Sequence, residues 1–485
     1  MSLNSHDPRT GAILGEPVAE ADEARVAAVV EAAAAAGTAW RAVPARERAA
    51  VLDAVAAALD AHADELWRAA DEETALGETR LRGEIARSSG QFRLFARVLL
   101  DGGYAEAVID HADGTRPDLR RMNRPLPGVV GVFAASNFPF AFSVAGGDTA
   151  SALAAGAPVV VKAHPGHPRL SELTARIIGA ALPDPALLGL VHGAEAGRTL
   201  VRHPAVAAVG FTGSIGGGKA IKALIDARET PIPFYGELGS VNPVVILPSA
   251  DRDGLAEGFA ASLTLGVGQF CTNPGLLFLP ADDALLTAVA EAVGATTGGA
   301  MLTERIRDGY LGGLKAKDGL AVLAEGAPGE GPWAAAPTVF GTDLAAFTAL
   351  LPGIAEETFG PSAVVVTYTD PAELPAVLAR LAGSLTATVH AGDPAEAAAV
   401  TEVLARTAGR LIWNSWPTGV AVTWAQHHGG PWPSSTAPAH TSVGAAALRR
   451  WLAPVAYQDW PEALLPPELH DANPLGVPQR VDGAS

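Results

Sequence analysis

The chain has 485 residues, of which 49% are hydrophobic and 18% charged, and its formal net charge is −18 at pH 7. This length predicts two or three domains rather than one core. The acidic balance, without any Lys/Arg run, argues against nucleic acid and anionic membranes as partners. The single cysteine, Cys271, excludes an intrachain disulfide and a multi-cysteine metal site. We therefore expect a cytoplasmic protein, and we predict no metal site.

The N-terminus has no basic region followed by an apolar core, so no signal peptide is predicted. The stretch 125–147 contains no charged residue and is long enough to span a bilayer. It also contains three prolines and four glycines, which an ordinary membrane helix does not tolerate together. We therefore predict a buried strand followed by a loop here, and no membrane partner.

The first hundred residues have a helical pattern, because apolar residues recur at three- and four-residue spacing over 21–40 and 46–73. Beyond them, short β-branched runs alternate with Ala/Leu-rich helical stretches. A first series of such runs occupies 129–133, 158–161, 187–191 and 206–211. A second series occupies 241–247, 363–368, 386–390 and 411–414, with a helix at 256–265. This alternation predicts an α/β fold with two parallel-sheet domains that meet near Gly239.

Two segments fit neither domain. Residues 104–124 are polar and interrupt the α/β pattern, and the tail beyond Pro461 is rich in proline and polar residues without periodicity. Extensions of this kind can lie across a neighbouring subunit or be solvated, and both alternatives stay open.

Four weak signals, one of them the only cysteine, point to a functional site. Cys271 lies among Gly, Asn and Pro, which favours a loop, although a lone cysteine is more often a small core residue. Glu237 lies between glycines after a short strand, where a solvated turn is the simplest interpretation. Asn137 ends an apolar strand, at the edge of a parallel sheet where ligands gather. Glu357 precedes a further strand.

In this order and spacing, the signals resemble the aldehyde dehydrogenase superfamily over roughly residues 15–460. The resemblance rests on the segments 137–139, 160–162, 211–214, 237–239, 268–271 and 357–361. It implies that Cys271 attacks the aldehyde carbon and that the amide of Asn137 stabilises the resulting oxyanion. It also implies that Glu237 activates the water that hydrolyses the thioester.

The same resemblance implies an NAD or NADP site. The residues that it assigns to the cofactor are Lys162, Gly213, Ser214, Gly218, Leu238, Glu357 and Phe359. It divides the chain into a dinucleotide-binding domain (1–103 and 125–239), a catalytic domain (240–440) and oligomerisation or tail segments (104–124 and 441–485). A small oligomerisation segment beside two Rossmann-like domains implies a homodimer or homotetramer.

Further segments, at 120–122, 137–150, 162–165 and 428–431, resemble one branch of that family. The branch contains 2-oxoglutarate semialdehyde (2,5-dioxopentanoate) dehydrogenases and a bacterial NADP-dependent fatty aldehyde dehydrogenase. Ala421 stands where the branch usually has an acid, and Trp424 and Trp432 are bulkier than expected. Six of the nine tryptophans lie between 413 and 460, which indicates either core packing or a reshaped pocket. A fatty or aromatic aldehyde therefore stays an alternative substrate.

Cofactor preference depends on Pro165, three residues after the cofactor lysine. Many NAD-preferring relatives have a glutamate there, which would bind the adenosine ribose hydroxyls. Without that carboxylate, a 2′-phosphate meets no like-charge repulsion and can pair with Lys162. We expect NADP to bind at least as well as NAD.

A rival interpretation comes from residues 213–220, which nearly match the phosphate loop of nucleotide triphosphatases. The missing feature is a hydroxyl for Mg²⁺, because Ala220 follows the lysine. The glycines suit a dinucleotide equally well, since a pyrophosphate at a helix N-terminus also requires close backbone approach. A non-catalytic homologue is the third alternative, against which the intact Cys271, Glu237 and Asn137 argue.

Overall fold

The computed structural model describes residues 2–484, and helices fill most of the first hundred. A hairpin of β1 (Ser2–His6) and β2 (Ile13–Ala19) precedes α1 (Glu23–Ala42), α2 (Ala45–Ala61), α3 (Ala63–Thr74) and α4 (Glu78–Asp101). The predicted helical pattern over 46–73 is confirmed, and it corresponds to two helices, α2 and α3. The chain breaks at His62, whose φ of −103° and ψ of 15° are not those of a regular helix. α2 and α4 pack against each other through their apolar faces.

The polar segment 104–124 forms two strands, β3 (Ala107–Asp110) and β4 (Leu119–Pro125), which pair antiparallel. A five-stranded parallel sheet follows, in the order β7-β6-β5-β8-β9. Its strands are β5 (Val129–Phe133), β6 (Val159–Lys162), β7 (Leu188–Val191), β8 (Val206–Thr212) and β9 (Phe234–Glu237). The helices between them are α5 (Gly147–Ala155), α6 (Pro168–Ala181), α7 (Ala194–Arg202) and α8 (Ile215–Asp226).

A seven-stranded sheet forms the second half, in the order β13-β15-β16-β11-β10-β17-β18. Its strands are β10 (Pro243–Ile246), β11 (Leu276–Pro280), β13 (Ala321–Glu325), β15 (Thr338–Asp343), β16 (Ser362–Tyr368), β17 (Ser384–His390) and β18 (Ala408–Trp413). Outside this sheet, β12 (Gly299–Ala300) pairs with β14 (Ala334–Ala335). Only β13 runs antiparallel to its neighbour. The helices are α9 (Leu255–Thr264), α10 (Asp283–Gly294), α11 (Glu304–Lys315), α12 (Leu344–Leu350), α13 (Leu374–Leu378) and α14 (Pro394–Thr407).

The tail has defined structure, although most of its residues are exposed. β19 (Leu452–Gln458) pairs antiparallel with β4, and β20 (Gln479–Val481) pairs parallel with β3, which completes a four-stranded sheet. Between them, Leu465 and Leu469 are buried against Ile109 and Met122. The proline-rich tail is therefore fixed to its own chain by a small apolar core.

The predicted α/β class with two parallel sheets is confirmed. The stretch 125–147 is a buried strand, β5, followed by a loop, as predicted. Across residues 2–484, none of the helices combines the length and apolarity that crossing a membrane requires. The sequence pattern missed β11, since its leucines follow the cysteine loop without a β-branched residue.

The strand directions place the candidate site between the two large sheets. Glu237 ends β9, at the carboxyl edge of the first sheet. Cys271 and Glu357 lie in the loops that enter β11 and β16, at the amino edge of the second sheet. The two sheet edges therefore bring these residues together although they are far apart in sequence.

Candidate active site

Cys271 lies in a tight loop between α9 and β11. Three consecutive residues, Gly266, Val267 and Gly268, have φ of 57°, 58° and 65°, in the left-handed region. A Cβ on Gly268 would lie 2.3 Å from the backbone of Gly360, so only glycine lets this loop pack against the loop that carries Glu357. The loop is thus held rigidly between two neighbours.

The amide side chain of Asn242 fixes the other side of the cysteine loop. Its Nδ2 donates hydrogen bonds to the carbonyl oxygens of Cys271, at 2.8 Å, and Asn273, at 2.9 Å. Asn242 is itself fully buried. Burying so polar a side chain is favourable only when its hydrogen bonds are made, and here they set the position of the thiol.

The segment that follows the second sheet crosses back to the first sheet beside Glu237. Ser435 forms an antiparallel bridge with Glu237, and the backbone amide of Leu238 donates to the carbonyl oxygen of Ser434 at 2.8 Å. This crossing places His428 and Ser442, one from each end of the segment, beside the Glu237 carboxylate.

Cys271, Glu237 and His428 form a compact cluster. The Nε2 atom of His428 lies 2.9 Å from Oε1 of Glu237 and 3.6 Å from Sγ of Cys271. One reactive atom from each residue lies within 4.8 Å of the other two. Ser442 Oγ donates to the second carboxylate oxygen of Glu237 at 2.5 Å. Both oxygens of this buried carboxylate are thereby hydrogen-bonded.

The environment separates the pKa values of the two titratable groups beside His428. Burial raises the pKa of the Cys271 thiol well above its ordinary value, and the nearby Glu237 charge raises it further. Burial alone would raise the pKa of Glu237, but His428 and the hydrogen bond from Ser442 hold it below its ordinary value. At neutral pH the pair therefore rests as a neutral thiol beside a carboxylate.

Asn137 reaches the cysteine loop from the first sheet. Its Nδ2 donates to the carbonyl oxygen of Gln269, two residues before Cys271, at 2.9 Å. Arg80 donates from Nη2 to the Asn137 carbonyl oxygen at 2.7 Å, with its guanidinium 4.6 Å from the centre of the Phe270 ring. The structure therefore brings together all three residues predicted to be catalytic.

The glycine turn after β8 opens helix α8. Ser214 caps the helix by accepting from the amide of Gly217, and Gly213 donates to the Glu237 carbonyl oxygen at 3.0 Å. A Cβ on Gly218 would lie 2.4 Å from the Leu238 side chain. Four residues predicted to bind the cofactor thus meet at this turn. A helix N-terminus lined with glycine amides fits a pyrophosphate.

Glu357 and Phe359 lie farther along the same cleft, with Ser240, Phe270 and Lys317 also in its lining. Burial raises the pKa of Glu357 to about 7, while the Ser240 backbone amide lowers it. Inside residues 2–484 this carboxylate forms no ion pair. A half-buried carboxylate with free acceptor capacity fits the hydroxyls of a ribose.

Lys162 ends β6, apart from the other predicted cofactor residues. Its pKa is lowered to about 8. Burial is the largest cause, the charge of Arg305 acts in the same direction, and Glu20 opposes both. No carboxylate within the described range forms a salt bridge with it. Two neighbouring positive charges beside Pro165 fit an added phosphate, as expected for NADP.

Sequence reasoning assigned no role to His428 or Ser442. The motif 428–431 was informative only as part of a resemblance, because His428 is 191 residues from Glu237 and 157 from Cys271. A histidine followed by two glycines in a loop was the available signal.

The core-packing interpretation of the tryptophans is wrong for four of the six. Trp413, Trp424, Trp432 and Trp460 are 45–51% exposed, whereas Trp451 is fully buried.

Fold and site together define an α/β protein with two large sheets and, between them, a half-buried cysteine beside a buried carboxylate and imidazole. The sequence profile described as "Aldehyde dehydrogenase family" matches residues 1–452. "Alpha-ketoglutaric semialdehyde dehydrogenase 2" of Azospirillum brasilense is 45% identical, over 99% of this chain and 96% of that protein. "Alpha-ketoglutaric semialdehyde dehydrogenase" of Acinetobacter baylyi is 40% identical, over 90% and 87%.

Solved structures with the same fold include a mutant of aldehyde dehydrogenase C from Pseudomonas syringae, complexed with NAD+ and octanal. Its TM-score is 0.83 at 22% identity, over 96% of this chain and 95% of that one. A 1-pyrroline-5-carboxylate dehydrogenase from Thermus with bound NAD also has a TM-score of 0.83, at 24% identity, over 94% and 90%.

The chain belongs to the aldehyde dehydrogenase family. This membership confirms the predicted enzyme class, an oxidoreductase that acts on the aldehyde group with NAD or NADP. It also decides against the triphosphatase alternative for residues 213–220.

Proposed function

We propose that this enzyme oxidises 2,5-dioxopentanoate to 2-oxoglutarate through a thioester on Cys271. The convergence of Cys271, Glu237 and His428 within 4.8 Å is the observation that carries the chemistry. The names of two relatives, 45% and 40% identical over nearly their full lengths, support the substrate.

Cys271 is a neutral thiol at rest, so attack on the aldehyde carbon requires a proton acceptor. Glu237 is a carboxylate within reach of Sγ and takes that proton as the sulfur–carbon bond forms. The negative oxygen of the thiohemiacetal is stabilised by the Asn137 amide and the Cys271 backbone N–H. For Asn137 this requires only that its Nδ2, already anchored to Gln269, uses its second hydrogen.

A bound NAD or NADP would supply the acceptor for the hydride that leaves the carbon attached to Cys271. Glu237, after its proton has been released, then deprotonates a water that attacks the resulting thioester on Cys271. Cleavage of the carbon–sulfur bond releases the carboxylic acid and restores the thiol. Glu237 thus acts twice, first for the thiol and then for the water.

His428 and Ser442 are positioning residues in this scheme. Their hydrogen bonds occupy both oxygens of Glu237 and keep it ionised despite its burial. A base that acts at neutral pH requires its carboxylate form, so these contacts preserve the function of Glu237.

For the cofactor, we propose that the N-terminus of α8 and Ser214 hold the pyrophosphate, and that Gly213, Gly218 and Leu238 shape that turn. Glu357 would accept hydrogen bonds from the nicotinamide ribose, with Phe359 beside the ring. Lys162 would bind the adenosine ribose and, with Arg305, its 2′-phosphate. The unpaired charges of Lys162 and Glu357 support these roles.

Steady-state kinetics with three aldehydes tests the proposal. We expect the highest kcat/KM with 2,5-dioxopentanoate, lower values with a medium-chain and a small aromatic aldehyde, and a KM for NADP comparable to or below that for NAD. A higher kcat/KM with a fatty or aromatic aldehyde would replace the proposed substrate with that class.

We further propose that the chain divides functionally into a dinucleotide-binding domain (1–103 and 125–239) and a catalytic domain (240–440). Segments 104–124 and 441–485, which contain the strands of the four-stranded sheet, would mediate assembly into a cytoplasmic homodimer or homotetramer. The sheet supports this, because its strand β19 has exposed residues over most of its length. Sedimentation analysis distinguishes these assemblies from a monomer.

A further inference from the structure

Arg87 has a guanidinium that forms no hydrogen bond or ion pair within residues 2–484. It lies on α4, on the side that faces the Asn137 loop, and its Nε and Nη2 atoms are buried with no hydrogen-bond partner among residues 2–484. Leaving buried donors of a charged group unpaired is costly. Such a side chain is expected to have a ligand.

The aromatic side chains of the Asn137 loop surround this guanidinium. Its carbon Cζ lies 5.3 Å from the ring centre of Phe138 and 5.4 Å from that of Phe142. The Phe142 ring centre lies 6.3 Å from that of His428. One aromatic ring therefore separates the unpaired cation from the imidazole that contacts Cys271.

Arg87 lies within electrostatic range of the reaction centre. Burial lowers its pKa, and Glu84, Cys271 and Glu237 each act against that shift. Glu84, the carboxylate with the largest effect on this pKa, is oriented by other contacts: its Oε1 accepts from the amides of Phe140 and Ala141, and its buried Oε2 has no hydrogen-bond partner among residues 2–484. No hydrogen bond joins Glu84 to Arg87 within the described range.

Two other guanidinium groups near the centre are already committed to backbone carbonyls. Arg80 donates to the carbonyl oxygen of Asn137. Arg410 donates from Nη2 to the carbonyl oxygens of Pro417 and Gly419, both at 2.9 Å. Of these three, Arg87 alone has its full hydrogen-bonding capacity free.

We propose that Arg87 binds the distal carboxylate of an aldehyde acid, so that it selects substrates with a negative charge at the end opposite the aldehyde. This inference rests on the proposed function and extends it from the reacting aldehyde to the other end of the substrate. A guanidinium can donate two parallel hydrogen bonds to one carboxylate. Phe138 and Phe142 exclude water there, which strengthens the ion pair.

The test compares Arg87→Gln with wild type on 2,5-dioxopentanoate and on pentanal, an aldehyde of equal chain length that has neither the carboxylate nor the 2-oxo group. We expect kcat/KM for 2,5-dioxopentanoate to fall roughly 10- to 100-fold, the range of one charged hydrogen-bonded contact, chiefly through KM. The value for pentanal should change less than about threefold, which also shows that the variant folds. Arg87→Lys should recover part of the loss.

Arg93→Gln is the matched control, because Arg93 lies on the same helix but is exposed and paired with Asp60. It should leave both substrates unchanged. Calorimetric binding of 2-oxoglutarate, the product, gives a readout without turnover, and it should weaken at least about tenfold in Arg87→Gln only.

An equal loss on both aldehydes would overturn the inference, since Arg87 would then serve only the structure of the Asn137 loop. The inference also fails if Arg410→Gln, rather than Arg87→Gln, removes the preference for the charged substrate. A wild type that oxidises pentanal as well as 2,5-dioxopentanoate contradicts carboxylate selection but leaves aldehyde oxidation intact. A wild type inactive on both would overturn the proposed function itself.

Discussion

The centre around Cys271 differs from its surroundings in how charged side chains are satisfied. At the centre, the carboxylate of Glu237 has partners on both oxygens, His428 and Ser442. Away from the centre, the cations of Arg87 and Lys162 are desolvated without an ion pair inside the described residues. In the proposed mechanism, the groups that react are prearranged by protein contacts, whereas the groups proposed to bind a ligand have no protein partner.

The largest effect should come from removing the nucleophile. Cys271→Ala should lower kcat by a factor on the order of 10⁴ or more, because no other thiol exists in the chain. Titration of NADPH fluorescence should show unchanged cofactor binding, since the residues proposed to hold the cofactor are unchanged. One equivalent of a thiol reagent should likewise abolish wild-type activity. Substantial turnover by the alanine variant would remove Cys271 from the mechanism.

A smaller effect is expected from the contacts that prearrange the base. In His428→Gln the pKa of Glu237 should rise, because its burial is then opposed only by Ser442 and weaker contacts. The base is then protonated up to a higher pH, so the acidic limb of the kcat/KM profile should move upward, with a loss of about 10- to 100-fold at pH 7.

Ser442→Ala should move the same limb in the same direction by a smaller amount. A loss of rate in His428→Gln without any movement of the limb would indicate that His428 only packs against the cysteine loop.

One substitution can add to the proposed adenosine site the carboxylate that position 165 lacks. Pro165→Glu should raise the KM for NADP about tenfold, because its carboxylate would repel the 2′-phosphate, and it should lower the KM for NAD. Lys162→Ala should weaken NADP more than NAD. A wild type that uses NAD alone would contradict the adenosine-site assignment without affecting Cys271.

The smallest effect is a pH dependence of cofactor choice. Lys162, with a pKa of about 8, is charged below that pH and loses its charge above it, so the KM for NADP should rise a few-fold relative to NAD between pH 7 and 9. Glu357, with a pKa of about 7, gains its charge over a lower range and is expected to contact the ribose common to both cofactors. The ratio of the two KM values therefore isolates Lys162. A constant ratio would contradict contact between Lys162 and the 2′-phosphate.

The sequence pattern was sufficient to locate elements and residues whose neighbours in the chain have a characteristic composition. β-branched runs located β5, β6, β8 and β16, and the glycine turns located Ser214 and Glu237. Contacts made by chain crossing were not predictable, since His428 reaches Glu237 only through the return of segment 428–442 to the first sheet. Arg87 was hidden for another reason. On a helix rich in arginine, one that points inward has the same local pattern as those that face solvent.

The central claim is a thioester on Cys271 that Glu237 helps to hydrolyse, and intact-protein mass spectrometry of Glu237→Gln tests it most directly. In this variant His428, whose Nε2 lies 3.6 Å from Sγ, should replace Glu237 as the acceptor of the thiol proton, as the other basic group of the cluster. Mixing the variant with NADP and 2,5-dioxopentanoate should give a burst of about one equivalent of NADPH per site, followed by little turnover. The protein should gain the mass of the acyl group, mapped by peptide analysis to Cys271. Normal steady-state turnover with an unmodified Cys271 would contradict the account.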